Sequence, residues 1–320
     1  MKHAGVFALL LAALVALPGC GVGRGSAVAL EPGDPVRIGV LPVADFVTVY
    51  VALEEGYFED EGLTVETQTM QNAAAIAPSV INGQLQFGTG AITPVLAGAQ
   101  KGLPLKVVAN QADVAEKPEE DVSALLVAPD SGIIRPRDLE GRTVGVNGLG
   151  SIVHVAAAAA VERDGGDPSK VTFVAMPFPD MAAAVGKGTL DAASVVEPFV
   201  GLGTANGLQV VDRPYYQAFE PGESMSVLFT AGPFAEENPE VVAKVRRAVE
   251  RASVTAAEDP QVVRDALVEY GGMKPEAVAR MGQPPYGVGV DPQVLTAASE
   301  TMVDLGFLPA PVDGEELVLP

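Results

Sequence analysis

The sequence is poor in the side chains from which most enzyme sites are built. Of its 320 residues one is cysteine, two are histidine and none is tryptophan. A zinc site needs several histidine or cysteine ligands, and a serine nucleophile needs a base beside it. Cys20 and His3 both lie in the N-terminal segment, so the body of the chain contains no cysteine and a single histidine, His154. This composition argues against disulfides, cysteine-based metal sites and histidine-dependent catalysis, and we expect no metal or cofactor.

Basic residues are also scarce. Lysine and arginine number 20 against 41 aspartates and glutamates, which gives a net charge of −21. Such a surface is a poor partner for nucleic acid, and its acidity favours solubility without indicating one local site. We therefore expect no nucleic-acid partner. The hydrophobic content of 48% predicts a compact chain and not a disordered one.

Only one apolar run is long, and it is N-terminal. It spans Ala4 to Leu17 and ends in Pro18-Gly19-Cys20. Its length is that of a signal-peptide core and is too short for a permanent membrane span. We expect residues 1–19 to be a lipoprotein-type signal peptide, and residues 20–35, rich in Gly, Ser and Pro, to be a flexible tether. The alternative is an ordinary secretory signal with an incidental cysteine.

What the sequence does contain is a pattern that occurs twice. Ile38-Gly39-Val40 returns as Val144-Gly145-Val146, an offset of 106 residues. Val80-x-x-Gly83-x-Leu85 returns as Val185-x-x-Gly188-x-Leu190, an offset of 105 residues. Two copies are too few for a solenoid or a propeller. They predict two α/β lobes of similar topology with a cleft between them.

Strand and helix signals alternate through both copies. β-branched runs such as Val36–Pro42 and Thr143–Val146 are followed by helical stripes such as Thr48–Glu61 and Ser151–Arg163. This alternation predicts mostly parallel sheets with helices on both faces. After Thr230 the pattern becomes purely helical, with proline at or near each helix start.

We expect the C-terminal helices to pack onto the first lobe, which requires the chain to cross between the lobes twice. The crossings are expected near residues 110–121 and 213–224. Lobe one would then comprise residues 36–112 and 225–320, and lobe two residues 113–224. Two crossings form a hinge on which the lobes can close around a ligand.

Four motifs resemble those of one known family. They are Tyr50-x-Ala52-Leu53-x-x-Gly56-Tyr57-Phe58-x-x-x-Gly62-Leu63-x-Val65, Asn82-Gly83-Gln84-Leu85-x-Phe87-Gly88, Asp138-Leu139-x-Gly141-Arg142-Thr143-Val144-Gly145-Val146 and Gly188-x-Leu190-Asp191-Ala192-x-x-Val195-x-Glu197-Pro198-Phe199. In this order they resemble the extracytoplasmic solute-binding lipoproteins of ABC importers. Within these, the chain is similar to the group that binds nitrate, taurine, sulfonates and pyrimidine precursors of thiamine.

The resemblance implies an α/β, two-lobed fold of the periplasmic-binding-protein type II (Venus-flytrap) class, with a helical C-terminal extension on lobe one. It implies a receptor, not an enzyme, that captures a small solute and delivers it to an ABC permease. It also implies that Cys20 is lipidated and anchors the protein to the outer face of the cell membrane. We expect a monomer.

Ligand contacts are expected at the carboxyl ends of the strands, where helix N-termini present free N–H groups. Applied to both copies, this rule selects five loops and the nearby crossover positions. The candidates are Asp45, Phe46, Asn72, Thr89, Gly90, Asn110, Gly150, Ser151, His154, Glu197 and Ser224. Structural roles are the alternatives: helix capping for Ser151, packing for His154 and a hydrogen bond within its lobe for Glu197.

These candidates leave the charge of the ligand open. Helix N-termini favour an anion such as a sulfonate or nitrate. Asp45 and Glu197, with no arginine among the candidate loops, favour an amine-bearing or heterocyclic solute, which is the interpretation we prefer. Two other functions use the same fold: an exported sensory or adaptor protein, and an enzyme similar to the pyrimidine synthases of thiamine biosynthesis. Those synthases need several histidines and a lysine for a pyridoxal cofactor.

Overall fold

A computed structural model describes residues 29–31, 33–70 and 75–320. The predicted signal peptide, Cys20, most of the predicted tether and the candidate Asn72 lie outside the described residues. Within the described ranges, no helix is long and apolar enough to cross a membrane.

Strands and helices alternate along the chain. The first part contains β1 (Val36–Val40), α1 (Thr48–Glu54), α2 (Tyr57–Asp60), β2 (Val65–Thr69), α3 (Ile76–Ile81), β3 (Phe87–Ala91), α4 (Ile92–Gln100) and β4 (Leu105–Asp113). The middle part contains β5 (Ser123–Val127), β6 (Thr143–Val146), α5 (Ile152–Arg163), β7 (Thr172–Ala175), α6 (Phe178–Gly186), β8 (Ala192–Val196), α7 (Phe199–Ala205), β9 (Gln209–Asp212) and α8 (Pro214–Ala218). The last part contains β10 (Ser224–Ala231), α9 (Gly232–Glu237), α10 (Pro239–Glu258), α11 (Pro260–Glu269), α12 (Pro275–Val278) and α13 (Pro292–Asp304).

The strands form two five-stranded sheets. Sheet one has the order β2-β1-β3-β10-β4, and sheet two has the order β7-β6-β8-β5-β9. In sheet one, β1 is parallel to β2 and β3, whereas β10 is antiparallel to β3 and β4. In sheet two, β6 is parallel to β7 and β8, whereas β5 is antiparallel to β8 and β9. The predicted two-lobed α/β class is confirmed.

Each sheet contains one antiparallel strand, which the alternating pattern did not reveal. β5 is the first strand that the chain adds to sheet two after leaving β4, and β10 is the strand with which it returns to sheet one. We refer to each sheet with the helices packed on it as lobe one and lobe two. The exact lobe boundaries stay a prediction.

The sequence repeat corresponds to one packing arrangement that is used in both sheets. A Cβ atom at Gly39 of β1 would lie 2.6 Å from Cδ1 of Leu85, and one at Gly145 of β6 would lie 2.6 Å from Cδ1 of Leu190. The missing side chain therefore lets a buried leucine pack directly on the strand backbone in each lobe. Two more repeated glycines, Gly83 and Gly188, have φ of +78° and +69° and follow α3 and α6.

The helices after β10 pack on lobe one. α10 contacts α1 and β4, and α13 contacts α4. The chain end joins sheet one, since Val107 N donates to Leu317 O at 2.8 Å and Leu319 N donates to Val107 O at 3.0 Å. Proline opens all four of the predicted C-terminal helices, α10 to α13. The interpretation of a helical extension on lobe one is confirmed.

Two predictions of local structure were wrong. The stripe Thr48–Glu61 forms two helices and not one, because Gly56 adopts a left-handed φ of +70° that ends α1. The short helices α8 and α9 were missed, because five and six residues are too few to display a helical period.

Candidate functional site

Residues at or just after the carboxyl ends of β1, β3, β6 and β8 line one small cavity at the junction of the two lobes. Its volume is about 20 Å³, and it is termed the inner cavity below. A space of this size holds about one water molecule, so the lobes are closed against each other here. The lining residues are Leu41, Val43, Asp45, Phe46, Ala91, Pro94, Asn147, Ser151, Ile152, Val153, Phe178, Val196 and Tyr215.

Polar atoms at this junction lack hydrogen-bond partners among the described residues. Asp45 Oδ1 from lobe one, and Asn147 Oδ1 and Ser151 Oγ from lobe two, are buried in this state. The hydroxyls of Thr48 and Thr93, in the first turns of α1 and α4, are also buried without a partner in the described chain. Each such group costs about 1–3 kcal/mol, and native proteins contain few of them. Three of them, on Asp45, Asn147 and Ser151, line the inner cavity, which indicates a place where a polar ligand group supplies the missing partners.

Asp45 is the most strongly perturbed acid of the site. Its side chain is 2% exposed. Burial raises the pKa of its carboxyl to about 8, and the negative charges of Asp121 and Glu197 act in the same direction. The carboxyl therefore holds its proton at neutral pH and can donate one hydrogen bond while accepting others.

Asp121 lies on the crossover into lobe two and was not among the sequence candidates. Its Oδ1 accepts from the backbone N and Oγ of Ser123 at 2.7 and 2.8 Å, and its Oδ2 accepts from Tyr216 N at 2.8 Å. Burial raises the pKa of this carboxyl as well. Arg213 donates through one terminal nitrogen to the carbonyls of Asp121 and Ser123 at 2.8 and 2.9 Å. No arginine or lysine is among the described residues that line the inner cavity.

Glu197 ties the lobes together. Its Oε2 accepts from Gly201 N at 3.0 Å within lobe two, and its Oε1 accepts from Gly282 N at 3.2 Å, in the segment between α12 and α13. Its backbone carbonyl accepts from Ala44 N of lobe one at 3.0 Å. Burial raises the pKa of its carboxyl. The structural alternative for Glu197, a hydrogen bond within its own lobe, therefore accounts for its contact with Gly201 but not for its contacts with lobe one.

His154 faces away from the inner cavity. Its Nδ1 accepts from Gly150 N at 2.9 Å, and its ring lies 4.2 Å from the ring of Phe173 and 4.8 Å from that of Phe307. Phe173 belongs to β7 of lobe two and Phe307 follows α13 on lobe one. Burial lowers the pKa of His154 to about 4, so the imidazole is neutral. These contacts support the packing alternative.

The structure brings three sequence candidates, Asp45, Phe46 and Ser151, together around the inner cavity. Other candidates lie within sheet one: Thr89 Oγ1 accepts from Leu41 N at 3.3 Å, and Asn110 Nδ2 donates to Asp113 Oδ1 at 2.7 Å.

Two further candidates in sheet one, Gly90 and Ser224, have contacts that a structural role explains. A Cβ at Gly90 would lie 2.9 Å from the ring of Phe229, and Ser224 pairs with Asp113 across the β10–β4 ladder. Gly150 has φ of +78° and donates to His154. Ligand contact by any of these residues stays a prediction.

Three polar or aromatic residues that line the inner cavity were not among the sequence candidates. Asn147 directly follows β6, so the rule of strand carboxyl ends applied to it and was not used. Tyr215 lies in the unpredicted helix α8, and Phe178 opens α6 before the predicted start of that helix. Among the described residues, no group of three or more His, Cys, Asp or Glu side chains is placed to hold a metal ion.

A larger pocket adjoins the inner cavity and is termed the vestibule. Its volume is about 410 Å³. Its lining is mainly apolar and includes Leu41, Val43 and Phe178, which also line the inner cavity. Residues 271–274 of lobe one close its opposite side.

The sequence profile of the family described as "NMT1/THI5 like" matches residues 43–263 of this chain. The chain is 24% identical over 313 residues to a putative aliphatic sulfonates-binding protein of Bacillus subtilis, covering 95% of this chain and 90% of the relative. It is 27% identical over 277 residues to a formylaminopyrimidine-binding protein of Halalkalibacterium halodurans, covering 84% and 79%.

An enzyme also appears among the relatives. The chain is 26% identical over 239 residues to the 4-amino-5-hydroxymethyl-2-methylpyrimidine phosphate synthase of Aspergillus parasiticus, covering 71% of this chain and 66% of the synthase. The fold is similar to that of the alkanesulfonate-binding protein SsuA from Xanthomonas axonopodis pv. citri, bound to MOPS. The TM-score is 0.77 at 18% identity, over 91% of this chain and 99% of SsuA.

Proposed function

The chain belongs to the NMT1/THI5-like family, and from this premise we propose that it is the solute-binding receptor of an ABC importer. It captures a small solute between its lobes and delivers it to a membrane permease. One observation carries the proposal: a closed cavity at the lobe junction, where both lobes present buried polar atoms that have no partner in the described chain. Relatives named as binding proteins for sulfonates and for formylaminopyrimidine support it.

The charges around the inner cavity favour a solute that donates hydrogen bonds. Asn147 Oδ1 and Asp45 Oδ1 are acceptors without described partners. Asp121 and Glu197 place negative charge close by. Arg213 lies near both of them but is not among the described residues that line the inner cavity. An anion would have to be desolvated against these charges, which is costly. A neutral or cationic nitrogen-containing solute therefore fits better than a sulfonate or nitrate.

Closure follows from the contacts between the lobes. Glu197 joins lobe two to lobe one, since its carbonyl accepts from Ala44 N at 3.0 Å and its Oε1 accepts from Gly282 N at 3.2 Å. A ligand that pairs with Asp45 on one side and Asn147 and Ser151 on the other binds the closed form selectively. Binding therefore shifts the open–closed equilibrium, and the permease recognises the closed receptor.

The proposal includes the location of the protein. We infer an extracytoplasmic monomer that is anchored to the membrane by acylation of Cys20. The motif ending in Cys20 supports this. Metabolic labelling with a fatty-acid analogue tests it, since Cys20→Ala must abolish label incorporation.

The enzyme alternative is supported by the relatives that are synthases. In this chain, the only histidine among the described residues is His154, and it is packed between two phenylalanine rings with a pKa of about 4. We propose that the protein is not an enzyme. A purified protein with the absorbance of bound pyridoxal phosphate, or one that alters an incubated aminopyrimidine by mass spectrometry, would contradict this.

A thermal-shift screen of the protein without its signal peptide tests the receptor proposal. The panel contains aminopyrimidines, amines, polyamines and amino acids on one side, and taurine, alkanesulfonates and nitrate on the other. A ligand at a hundred times its Kd adds about 2.7 kcal/mol to the free energy of unfolding. We expect the nitrogen-containing class to raise the midpoint. Stabilisation by sulfonates alone would show that the solute is an anion and not a neutral or cationic compound. Absence of saturable binding to every solute in the panel would contradict the receptor proposal.

A further inference from the structure

We propose that the vestibule binds a flat aromatic or heteroaromatic part of the same solute whose polar end enters the inner cavity. The inference rests on the proposed function and deepens it, because it assigns a second compartment to the ligand site. It predicts a solute larger than nitrate, taurine or a simple amine, with a polar head and a planar body.

Adjacency of the two spaces is the first argument. Leu41, Val43 and Phe178 line both the inner cavity and the vestibule. The two spaces are therefore neighbours on either side of the same three side chains. Both lobes line the vestibule, with Leu41 and Met273 on lobe one and Phe178 and Leu202 on lobe two. A group held there is enclosed only when the lobes are closed.

An aromatic platform is the second argument. The rings of Phe178 and Phe199 stack with centroids 5.4 Å apart and an interplanar angle of 21°. Both side chains line the vestibule, with 5% and 7% of their surface exposed. Offset stacking is a preferred geometry of aromatic groups, and a planar ring placed beside this pair extends the stack. Phe199 opens α7, two residues after Glu197, so the platform is attached to the residue that joins the lobes.

Size is the third argument. A volume of about 410 Å³ lies within the range of about 300–1,000 Å³ found for small-molecule sites. The inner cavity, at about 20 Å³, accommodates no more than part of a head group. The vestibule therefore provides most of the space that a solute can occupy in the closed form.

Matched pairs of probes test this inference by isothermal titration calorimetry of the full processed protein. Each pair shares a head group and differs in one ring: acetamidine and benzamidine, methylamine and benzylamine, methanesulfonate and benzenesulfonate. We expect the ring-bearing member to bind roughly tenfold more tightly or better in the pair whose head group fits the inner cavity.

Variants show whether the gain arises in the vestibule. Met273→Asp places a charge on the half-buried rim of the vestibule, and Phe199→Leu removes one ring of the platform and keeps an apolar side chain. Neither residue lines the inner cavity. Both variants should remove most of the preference for the ring and leave binding of the ring-free member within about twofold. Val288→Asp is the control, because this side chain is 59% exposed and does not line the vestibule. It should change neither the preference for the ring nor the binding of the ring-free member. Thermal melts establish that each variant is folded.

The outcomes separate this inference from the proposed function. Equal binding of both members of a pair, or a ring preference that survives Met273→Asp and Phe199→Leu, overturns the vestibule assignment and leaves the receptor intact. Absence of saturable binding by all six probes at millimolar concentration overturns both.

Discussion

At the residue scale, the lobe junction is unusual because it buries three acidic side chains. Asp45, Asp121 and Glu197 all have raised pKa values, and loss of hydration is the largest cause for each of them. Asp121 and Glu197 are compensated by backbone N–H donors, whereas Oδ1 of Asp45 has no partner in the described chain. The group left to interact with a ligand is therefore Asp45.

Replacing Asp45 by Asn should stabilise the protein at alkaline pH. The unfolded carboxyl releases its proton near the ordinary pKa of 3.8, whereas the folded one holds it up to about pH 8. The folded state binds more protons in this window, so wild-type stability falls as pH rises through it. Asn does not titrate, so D45N should gain more than about 1 kcal/mol over wild type between pH ~5 and pH ~8. Urea unfolding at both pH values measures this.

The exposed Asp130 provides the control for that experiment. Asp130→Asn should show the same pH dependence as wild type, since Asp130 follows β5 on the surface. A D45N curve parallel to wild type would show that the Asp45 carboxyl is ionised in the folded protein.

His154 should produce the opposite dependence on pH. Its pKa falls from 6.5 to about 4 on burial between Phe173 and Phe307. As the pH falls from about 6.5 to 4, the unfolded imidazole takes up a proton and the folded one does not, so stability is lost. His154→Phe keeps a ring but does not titrate, and it leaves Gly150 N without its acceptor. The variant should be about 1 kcal/mol less stable than wild type near pH 7, and this deficit should shrink near pH 5.

Two buried serines distinguish a ligand contact from a structural one. Ser151 Oγ has no partner in the described chain, whereas Ser194 Oγ donates to Val153 O at 2.9 Å. Ser151→Ala should leave the melting temperature of the ligand-free protein unchanged or higher and weaken solute binding about five- to tenfold. Ser194→Ala should lower the melting temperature and leave affinity unchanged. The reverse result would remove Ser151 from the ligand site.

At the scale of elements, the repeat is a property of helix ends and strand glycines. α3 and α6 each end before a left-handed glycine, and two residues before the next strand a leucine packs on Gly39 or Gly145. The same combination of a left-handed glycine and a packed leucine occurs in both lobes, because in each lobe the chain must turn from a helix into a buried strand within a few residues. The repeat is therefore explained by the fold without reference to a ligand.

Alanine substitutions at the helix ends test this explanation. Gly83→Ala and Gly188→Ala should each cost about 1 kcal/mol, since an L-residue is strained at φ of +78° or +69°. Gly186→Ala is the matched control: it lies in α6, and a Cβ there would meet no atom within 4 Å. That variant should be neutral or stabilising. Equal losses at Gly186 and Gly188 in urea unfolding would contradict the left-handed cap.

At the scale of the whole molecule, closure depends on a few contacts between the lobes. Glu197 supplies two of them, through its side chain to Gly282 and through its carbonyl to Ala44. The packing of His154 against Phe307 is another, on a different part of the interface. The closed form is therefore held by contacts that do not themselves require a ligand.

Glu197→Ala should shift the molecule towards the open form. It removes the acceptor of Gly282 N across the lobes and that of Gly201 N at the start of α7. We expect a larger radius of gyration by small-angle scattering without ligand, and an affinity about tenfold lower for any solute identified by the screen. Glu197→Gln retains one acceptor oxygen, so its radius of gyration and its affinity should lie between those of wild type and those of Glu197→Ala. An unchanged radius together with a large loss of melting temperature would make Glu197 a purely structural residue.

The sequence by itself determined the fold class, the two-fold repetition and the C-terminal helical extension. These depend on local signals: hydrophobic period, proline at helix starts and glycine at helix ends. Five of the strand-end loops were predicted in the same way, and Asp45, Phe46 and Ser151 came from them. Even Asn147 was accessible to that rule, since it directly follows a strand that was predicted with correct limits, Thr143–Val146.

Only the tertiary structure decided which of these residues meet. Asp45, Asp121 and Glu197 are far apart in the chain and become neighbours through the two crossings, so their coupled pKa values leave no trace in local sequence. His154 was turned towards Phe173 and Phe307 by the packing of α5, although its position at a helix start predicted the cleft. The vestibule depends on residues 271–274 closing over lobe two. Such contacts are set by how the two lobes pack against each other, and no periodicity within one segment encodes them.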